Sequence, residues 1–508
     1  MPARRWLPGL PSPSGFLVFL ALLVALGPGL PRMFGSDGDV GRHVRVGEGI
    51  LSEREIPTAD LLSHTRYGKQ WIPKEWLSQV AFAGADRLHG LSGVATLAAV
   101  LFSVSVLVTY VNTTLLGGSI GIAVGLTATS MLLQAVHLLA RPHLVTTALA
   151  SILLLLLVQY RRTARFEWVL FIPPLFVVWA NSHGGFPAGL ALLTLFCLDT
   201  WIGGRGPDIG RQRWTLIVVL GLAIVATMVN PAGPAIYSHL AAHLGNDFLM
   251  GITEEFQSPD FHAPWGRLLL AVILGTALIL GTSARRLPWL GLALLLGTLA
   301  ATLVSARHIS LFATVGLPWL AVLGTRASSS GTEANPERPD WPLHRLATRS
   351  PEISAATSHV LPLIACSLLV FVVNGPFAAR GQFGSTTFPV QALRELSPPE
   401  TAGAVFNEME WGGYLLYAEP DIPVFIDGHA DFFGEELARE YLTARSGGPG
   451  WDEVLDRYQV QWTLTRSDAP LNQLLGLTED WELVLEDGLT AVYRRDDGSR
   501  TGSEGLTP

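Results

Sequence analysis

The chain has 508 residues, of which 49% are hydrophobic and only 15% are charged, with a formal net charge of −8. Soluble globular proteins carry about 25% charged residues, so this composition indicates a membrane protein. The negative charge argues against nucleic acid as a partner. The two cysteines, Cys197 and Cys366, lie in apolar stretches and indicate no disulfide framework.

Eleven apolar stretches qualify as candidate membrane-spanning helices, although some are short. Pro173 and Pro174 lie inside the fifth stretch, so we expect that helix to be kinked or broken. The chain therefore predicts a mostly α-helical, polytopic membrane bundle. The predicted spans are 14–31, 91–111, 116–136, 143–160, 168–181, 186–203, 214–230, 267–283, 287–304, 309–325 and 355–375.

Arginines are concentrated before the first span and in alternate loops, and short cytoplasmic loops are enriched in basic residues. This predicts a multi-pass protein of the inner (plasma) membrane, with a cytoplasmic N-terminus and an uncleaved first span. The arginines that set this orientation are Arg4, Arg5, Arg161, Arg162, Arg165, Arg205, Arg211, Arg213, Arg285, Arg286, Arg326, Arg338, Arg345 and Arg349.

Two segments are predicted outside the membrane bundle. Residues 32–90 form the first extracytoplasmic loop of the domain 1–375, and their tryptophans suit helices lying in the membrane interface. Residues 376–508 predict a soluble extracytoplasmic α/β domain, because strand-like and helix-like segments alternate. Its expected helices are 399–409, 434–444, 451–458 and 469–476, and its expected strands are 413–418, 423–427, 460–465, 481–486 and 489–494.

The loops predicted outside the membrane contain most of the ionisable residues of the apolar region. Asp37 and Asp39 directly follow the first span, and a helix over 39–51 would place Asp39 and His43 on one face. Two carboxylates at a membrane surface suit a general base or a divalent-cation site. Capping of a helix N-terminus is the structural alternative.

Basic residues occur in two other loops on the same predicted side. Arg141, between His137 and His143, offers a planar guanidinium suited to phosphate oxygens, although it would also suit lipid headgroups by snorkelling. Arg307 and His308 stand between two apolar spans, where they need a partner. An anionic ligand and an internal carboxylate such as Asp39 both fit that need.

Three further loop motifs are candidates for a site. Asn181 and His183 precede two glycines that permit close approach of a ligand, or a plain helix hairpin. Glu254 and Glu255 are candidate acidic groups, although loop carboxylates are usually only solvated. The segment 427–431 (Asp-Gly-His-Ala-Asp) follows an expected strand, as ligand-binding loops often do, but Asp and Gly are also ordinary turn residues.

The chain resembles a bacterial branch of the GT-C superfamily, the integral-membrane glycosyltransferases that use polyprenyl-phosphate sugars. The resemblance rests on short motifs spread over nearly the whole chain. One departure is His429, where this branch favours arginine. The motifs are Asp39-Val40-Gly41-Arg42-His43, 47–51, Ile56-Pro57 with Asp60, Trp71 with Glu75-Trp76-Leu77, Arg141-Pro142, 181–185, Asn230-Pro231, Arg307-His308, Trp411-Gly412-Gly413-Tyr414 and Asp427-Gly428.

The resemblance implies an outward-facing site with an acidic catalytic residue just after the first helix, which Asp37 or Asp39 would match. It also implies hexosyl or pentosyl transfer from a polyprenyl-phosphate donor to an extracytoplasmic lipid, glycan or protein. Asp39 would activate the acceptor hydroxyl, and cationic residues would neutralise the phosphate leaving group. Those cationic residues are Arg141, His143, Arg307 and His308.

Two other functions compete with transfer. A transporter or flippase of lipid-linked saccharides would need polar groups near the bilayer midplane, whereas these groups lie at helix ends. A non-catalytic membrane scaffold is the other alternative. A divalent cation is compatible with the pair Asp37 and Asp39, but the sequence does not require one.

Overall fold

A computed structural model describes residues 13–27, 29–35, 38–204, 208–324, 382–398 and 400–496, which fall into two compact units. The membrane unit comprises the described residues of 13–30, 92–236 and 253–324. The α/β unit comprises those of 31–91, 237–252 and 382–496. The first loop thus folds in the same unit as the C-terminal residues. The predicted domain boundary at 375 and 376 lies outside the described residues.

The membrane unit consists of apolar helices. Five described helices are long and apolar enough to cross a membrane, and five more are shorter apolar helices. These ten correspond to the first ten predicted spans, and the eleventh, 355–375, lies outside the described residues. The long helices are Leu91–Leu115, His143–Thr163, Ile209–Thr227, Pro264–Thr282 and Ala306–Gly324, and the shorter ones are Pro13–Leu26, Ile120–Ala135, Glu167–Ser182, Phe186–Ile202 and Trp289–Val304.

The expected break in the fifth span is present. The helix Glu167–Leu170 ends before Phe171, and a second helix, Ile172–Ser182, begins directly after it. Pro173 and Pro174 therefore lie in the first turn of the second helix. Proline is tolerated there because the first backbone N–H groups of a helix have no intrahelical acceptor.

The span near 306–324 is helical but not a regular α-helix. A 3-10 turn, Ala306–His308, leads into Ile309–Leu311, then a π-helical turn, Phe312–Gly316, and a 3-10 stretch, Leu317–Gly324. Pro318 accounts for part of this irregularity, because it has no N–H to donate to the carbonyl four residues earlier. The change in helical repeat follows directly after Arg307 and His308.

The α/β unit surrounds a four-stranded sheet. Its strands are β1 (Ala404–Asn407), β2 (Val460–Arg466), β3 (Trp481–Glu486) and β4 (Thr490–Arg495), in the order β1-β2-β4-β3. β1 and β2 are parallel, and the other two neighbouring pairs are antiparallel. The principal helices of the unit are Asp39–Glu53, Trp76–His89, Val390–Glu395, Met409–Ala418, Ala430–Arg445, Trp451–Arg457 and Pro470–Leu475.

Three of the expected elements of this unit are wrong, and the others are confirmed to within a few residues. The expected helix 399–409 contains β1 instead, and the expected strand 413–418 is helical. The expected strand 423–427 makes only an isolated bridge, from Val424 to Ser63. Gly412 lets this helix pack closely on the segment that contains Ile426, because a Cβ on Gly412 would lie 2.3 Å from the Ile426 carbonyl oxygen.

The first loop is tied to this unit by hydrogen bonds. His64 N–H donates to the Val424 carbonyl at 3.0 Å, and Val424 N–H donates to the Leu62 carbonyl at 3.0 Å. The Thr65 hydroxyl donates to the Phe425 carbonyl at 2.6 Å. Trp71 packs against the core of the unit, outside any helix, so the prediction of an interfacial helix is wrong at this residue.

Candidate active site

The helix Asp39–Glu53 positions the first group of candidate residues. The predicted helix over 39–51 is confirmed. Asp39 lies in its first turn, where the positive end of the helix dipole stabilises a negative charge. Arg42 and His43 are each 5% exposed, whereas Asp39 is half-buried. Asp37 lies outside the described residues.

Asp39 lies directly against Gly428. A Cβ built on Gly428 would come within 2.1 Å of Asp39 Oδ1 and 2.8 Å of Oδ2. Only glycine leaves room for the carboxylate in this position, because real Cβ contacts essentially never fall below 3.0 Å. The Asp-Gly dipeptide at 427–428 therefore borders the candidate catalytic carboxylate.

Arg42 connects the same helix to the two residues beside Gly428. Its Nη2 lies 2.6 Å from Nδ1 of His429, and its Nε lies 3.5 Å from Oδ2 of Asp427. Its guanidinium also lies 5.4 Å from the centroid of the Trp71 ring. Arginine donates but cannot accept, so His429 Nδ1 is the acceptor and the ring proton of the neutral tautomer is on Nε2.

Asp431 completes a buried chain of charges. His429 Nε2 lies 3.3 Å from Asp431 Oδ1, and His239 Nε2 lies 3.0 Å from Oδ2. Lys74 forms a salt bridge with the same carboxylate. We call Asp39, Arg42, Lys74, His239, Asp427, Gly428, His429 and Asp431 the Asp39 cluster.

Burial and charge act differently on the three titratable groups of the segment 427–431. Burial raises the pKa of Asp427, although Arg42 opposes this. Burial also favours the neutral form of Asp431, but the charge of Lys74 and the hydrogen bond with His239 outweigh it and hold the pKa of Asp431 well below its usual range. Burial and Arg42 together hold the pKa of His429 well below its usual range, so the imidazole is neutral.

His43 contacts a second helix of the same unit. Its Nδ1 lies 3.4 Å from Nε2 of Gln79, and its ring packs edge-to-face on Phe82. It therefore faces the helix Trp76–His89. Asp39 and His43 lie on one helix, as predicted.

The second group of candidates lies in the membrane unit around Glu255. Arg141 Nη1 donates to Glu255 Oε1 at 2.7 Å, and His137 Nε2 lies 3.7 Å from the same oxygen. The Arg307 guanidinium lies 4.5 Å from the centroid of the Phe256 ring. We call His137, Arg141, Glu255 and Arg307 the Glu255 cluster.

The positive charges of this cluster control the protonation of Glu255. Burial favours the neutral carboxyl group, but Arg141, His137 and Arg307 outweigh it and hold the pKa of Glu255 far below its usual range. Glu255 is therefore ionised at neutral pH. The carboxylate in this cluster is Glu255, and its salt-bridge partner is Arg141.

Glu254 and His308 lie beside this cluster. Glu254 is exposed, although it is next to Glu255 in the chain. His308 Nδ1 is buried and has no hydrogen-bond partner among the described residues. His143 Nε2 lies 2.8 Å from the His137 carbonyl oxygen, and the two imidazoles pack edge-to-face.

Asn181 and His183 hold the hairpin between two helices. Asn181 Nδ2 donates to the carbonyls of Val177 and Val229, at 2.8 and 2.7 Å. His183 Nδ1 lies 2.7 Å from the Thr146 hydroxyl and accepts the Gly185 N–H at 3.1 Å. These contacts match the structural alternative for the motif.

Several residues of the two clusters gave no strong signal in the sequence. Lys74 and His239 are isolated polar residues in unremarkable segments, and Glu255 could not be distinguished from Glu254. Within the described parts of the chain, no group of three His, Cys, Asp or Glu residues could hold a metal ion.

The fold, but not the sequence, is similar to known proteins. No protein-family model and no curated protein sequence matches the chain. Two solved structures of ArnT from Cupriavidus metallidurans are similar in fold. The form bound to undecaprenyl phosphate has a TM-score of 0.51 and 14% identity, over 95% of this chain and 98% of ArnT. The apo form has a TM-score of 0.51 and 15% identity, over 94% and 96%.

A second similar fold is the apo oligosaccharyltransferase of Archaeoglobus fulgidus, with a TM-score of 0.53 and 11% identity over 89% of this chain and 69% of that enzyme. The apolar helices and these neighbours define an integral-membrane protein. Its fold is similar to the folds of ArnT and of the oligosaccharyltransferase. The resemblance seen in the sequence is confirmed for the fold, and assignment to a bacterial branch stays a prediction.

Proposed function

We propose that the protein is a glycosyltransferase that moves a sugar from a polyprenyl-phosphate donor to an extracytoplasmic lipid, glycan or protein. The observation that carries the proposal is the likeness to ArnT, which extends over nearly the full length of both chains. That ArnT structure is bound to undecaprenyl phosphate. A donor of the same chemical class suits a chain with the same fold.

Asp39 is the proposed general base. In the transfer, an acceptor oxygen forms a bond with the anomeric carbon while the bond from that carbon to the phosphate oxygen breaks. The acceptor proton passes to the Asp39 carboxylate, and the electron pair leaves with the phosphate. Asp39 suits this role because it is half-buried, whereas the neighbouring Asp427 and Asp431 side chains are only 4% and 8% exposed.

Arg141 and Arg307 are the proposed groups that neutralise the phosphate as its charge grows in the transition state. Because these cations can supply the required charge, we propose that transfer needs no resident metal ion. Chelation with EDTA should leave the rate unchanged. Loss of transfer with EDTA and its return with Mg²⁺ would contradict the metal-free proposal alone.

The test compares glycolipids and envelope glycans in cells that contain the wild-type protein, Asp39→Asn, Asp37→Asn or no protein. One glycan or glycolipid should depend on the protein and disappear with Asp39→Asn, since loss of a general base costs about 10²–10⁴-fold in rate. Glu53→Gln, at the exposed far end of the same helix, is the matched control. A normal product with Asp39→Asn, and its loss with Asp37→Asn, would transfer the role to Asp37.

The proposal includes a topology for the plasma membrane. The N-terminus lies in the cytoplasm and residues 376–508 lie outside, which the distribution of arginines among the loops supports. Reporter fusions after residues 165 and 380 should report opposite sides of the membrane. If both report the same side, the topology is wrong.

A further inference from the structure

The Glu255 cluster contains more positive than negative charge. Two guanidinium groups, of Arg141 and Arg307, act on one carboxylate, and Arg307 makes no salt bridge within the described part of the chain. Its guanidinium contacts the face of Phe256 instead. The cluster therefore retains a net positive charge after Glu255 is counted.

The cluster is also partly open to a ligand. The side chains of Arg141 and Glu255 are 25% and 23% exposed, and that of His137 is 16% exposed. These groups are desolvated enough to interact strongly but are not sealed in a core. An anion can reach them without unfolding of the surrounding helices.

Two hydrogen bonds that do not involve the carboxylate hold the chain around Glu255. Its backbone is fixed, because the Ser305 hydroxyl donates to the Glu255 carbonyl at 3.0 Å and Ala306 N–H donates to the Gln257 carbonyl at 2.9 Å. The side chain beyond Cβ extends from this fixed turn toward Arg141. Movement of the carboxylate would leave these two hydrogen bonds intact.

A phosphate group is the anion that best replaces a carboxylate here. It offers three acceptor oxygens and up to two negative charges, and arginine binds carboxylate and phosphate through the same planar donors. The excess positive charge favours the more highly charged ligand.

We infer that Glu255 occupies, in the resting protein, an anion site that takes a phosphate group in its place. This rests on the proposed function for the source of the phosphate, which is the headgroup of a polyprenyl-phosphate lipid. Glu255 thereby keeps Arg141 from holding other anions until the donor arrives. Each binding event moves the carboxylate away from Arg141, and each release lets it return.

The inference is tested by phosphate binding to the purified full-length chain. Native mass spectrometry gives the Kd for undecaprenyl phosphate, and calorimetry gives the Kd for inorganic phosphate. Because a competing state that is nine-tenths populated weakens apparent affinity about tenfold, Glu255→Gln should bind phosphate roughly three- to tenfold more tightly than the wild type. Glu254→Gln, at the exposed neighbour, should leave both Kd values unchanged.

Glu255→Asp provides a second variant that keeps the charge, in case Glu255→Gln does not fold. Its shorter side chain should reach Arg141 less well and give an affinity between those of the wild type and Glu255→Gln. Tighter undecaprenyl phosphate binding identifies a lipid headgroup as the ligand, and tighter inorganic phosphate binding alone identifies a soluble phosphate. Unchanged or weaker binding of both probes by the folded variants overturns the inference.

The result is independent of the transfer assay. Tighter phosphate binding by Glu255→Gln in a protein that transfers no sugar would leave the anion site standing and remove the proposed function. Normal sugar transfer by the wild type, with no change in phosphate binding by Glu255→Gln, would support the proposed function and overturn the anion-site inference.

Discussion

The carboxylate of Asp39 fills the space that a side chain on residue 428 would occupy. The two residues are far apart in the chain, and Gly428 brings its Cα close to the carboxylate because it has no Cβ. Two motifs that are separate in the sequence thus form one wall of the candidate site. The glycine of the Asp-Gly dipeptide at 427–428 therefore makes room for the Asp39 carboxylate.

Gly428→Ala should displace the Asp39 carboxylate and reduce transfer. The added methyl group would lie 2.1 Å from Oδ1, so the side chain of Asp39 must move. Misplacement of a catalytic group by about 1 Å can cost about 10²-fold in rate, so we expect a loss of this size in kcat. Steady-state kinetics of the purified variant measures it.

Gly49→Ala is the matched control for this substitution. Gly49 lies on the same helix as Asp39, and a Cβ there meets no heavy atom within 4 Å. Alanine is favoured over glycine in a helix by about 1 kcal/mol, so this variant should be at least as stable as the wild type and fully active. Wild-type kcat in a folded Gly428→Ala protein would contradict the positioning role.

Asp431→Asn should destabilise the protein far more than Asp427→Asn at pH 7. The charge of Lys74 and the hydrogen bond with His239 outweigh burial and depress the pKa of Asp431, so its ionised form stabilises the folded state. Removing one partner of such a buried charge pair costs about 3–5 kcal/mol. Asp427 is paired with the buried Arg42, but burial raises its pKa, so asparagine there relieves part of the cost of the charge and the loss should be smaller.

Denaturant titration in detergent measures both free energies of unfolding. The contribution of Asp431 should be constant above its unfolded pKa of about 3.9 and be lost as the pH falls through its lower folded pKa. The contribution of Asp427 should decline as the pH rises from about 3.9 to its raised folded pKa. Equal losses from the two asparagine variants at pH 7 would refute this assignment.

Arg141 and Glu255 should be energetically coupled. Each single substitution, Arg141→Gln or Glu255→Gln, leaves a partly buried charge without its nearest partner, whereas the double variant removes both. A double-mutant cycle of unfolding free energies should therefore give a coupling of about 1–3 kcal/mol. The pair Arg165 and Glu167, at 67% and 64% exposure, is the matched control and should give less than about 1 kcal/mol.

A coupling at Arg141 and Glu255 no larger than the exposed control would show that the membrane-unit pair is not held as described. It would also remove the basis for exchange with phosphate.

Asn407→Asp should destabilise the α/β unit. Asn407 is fully buried, and its Nδ2 donates to the carbonyls of Glu408 and Ile426, both at 2.8 Å. A carboxylate would place an acceptor against these two carbonyl oxygens, at a cost of about 3 kcal/mol or more. We expect a lower midpoint of denaturant unfolding, with the helix content of the folded variant unchanged by circular dichroism. An unchanged midpoint would be inconsistent with these contacts.

Much of the membrane unit could be predicted because it depends on local properties of the chain. A helix satisfies its backbone groups within one segment, so apolar length alone marks a span. Pro173 and Pro174 likewise act within one turn. The same holds for the helix that begins at Asp39.

The helix Met409–Ala418 shows where local patterns failed. Its aromatic and apolar residues suit a strand, but Gly412 and Gly413 permit backbone approach to Ile426 and Gly38. Those partners lie outside any sequence window, so the contact that favours the helix could not be seen.

The sequence by itself determined the apolar helices and the helix that carries Asp39, and the grouping of candidate residues on one side of the membrane stays a prediction. Only the tertiary structure decided the partners of the charged groups. Gly428 lies against Asp39, and Glu255 rather than Glu254 contacts Arg141. Successive residues of a tight turn point in different directions, and Coulomb energy in a partly buried site changes steeply over a few ångströms. Residue type and spacing do not contain those distances, whereas the folded chain does.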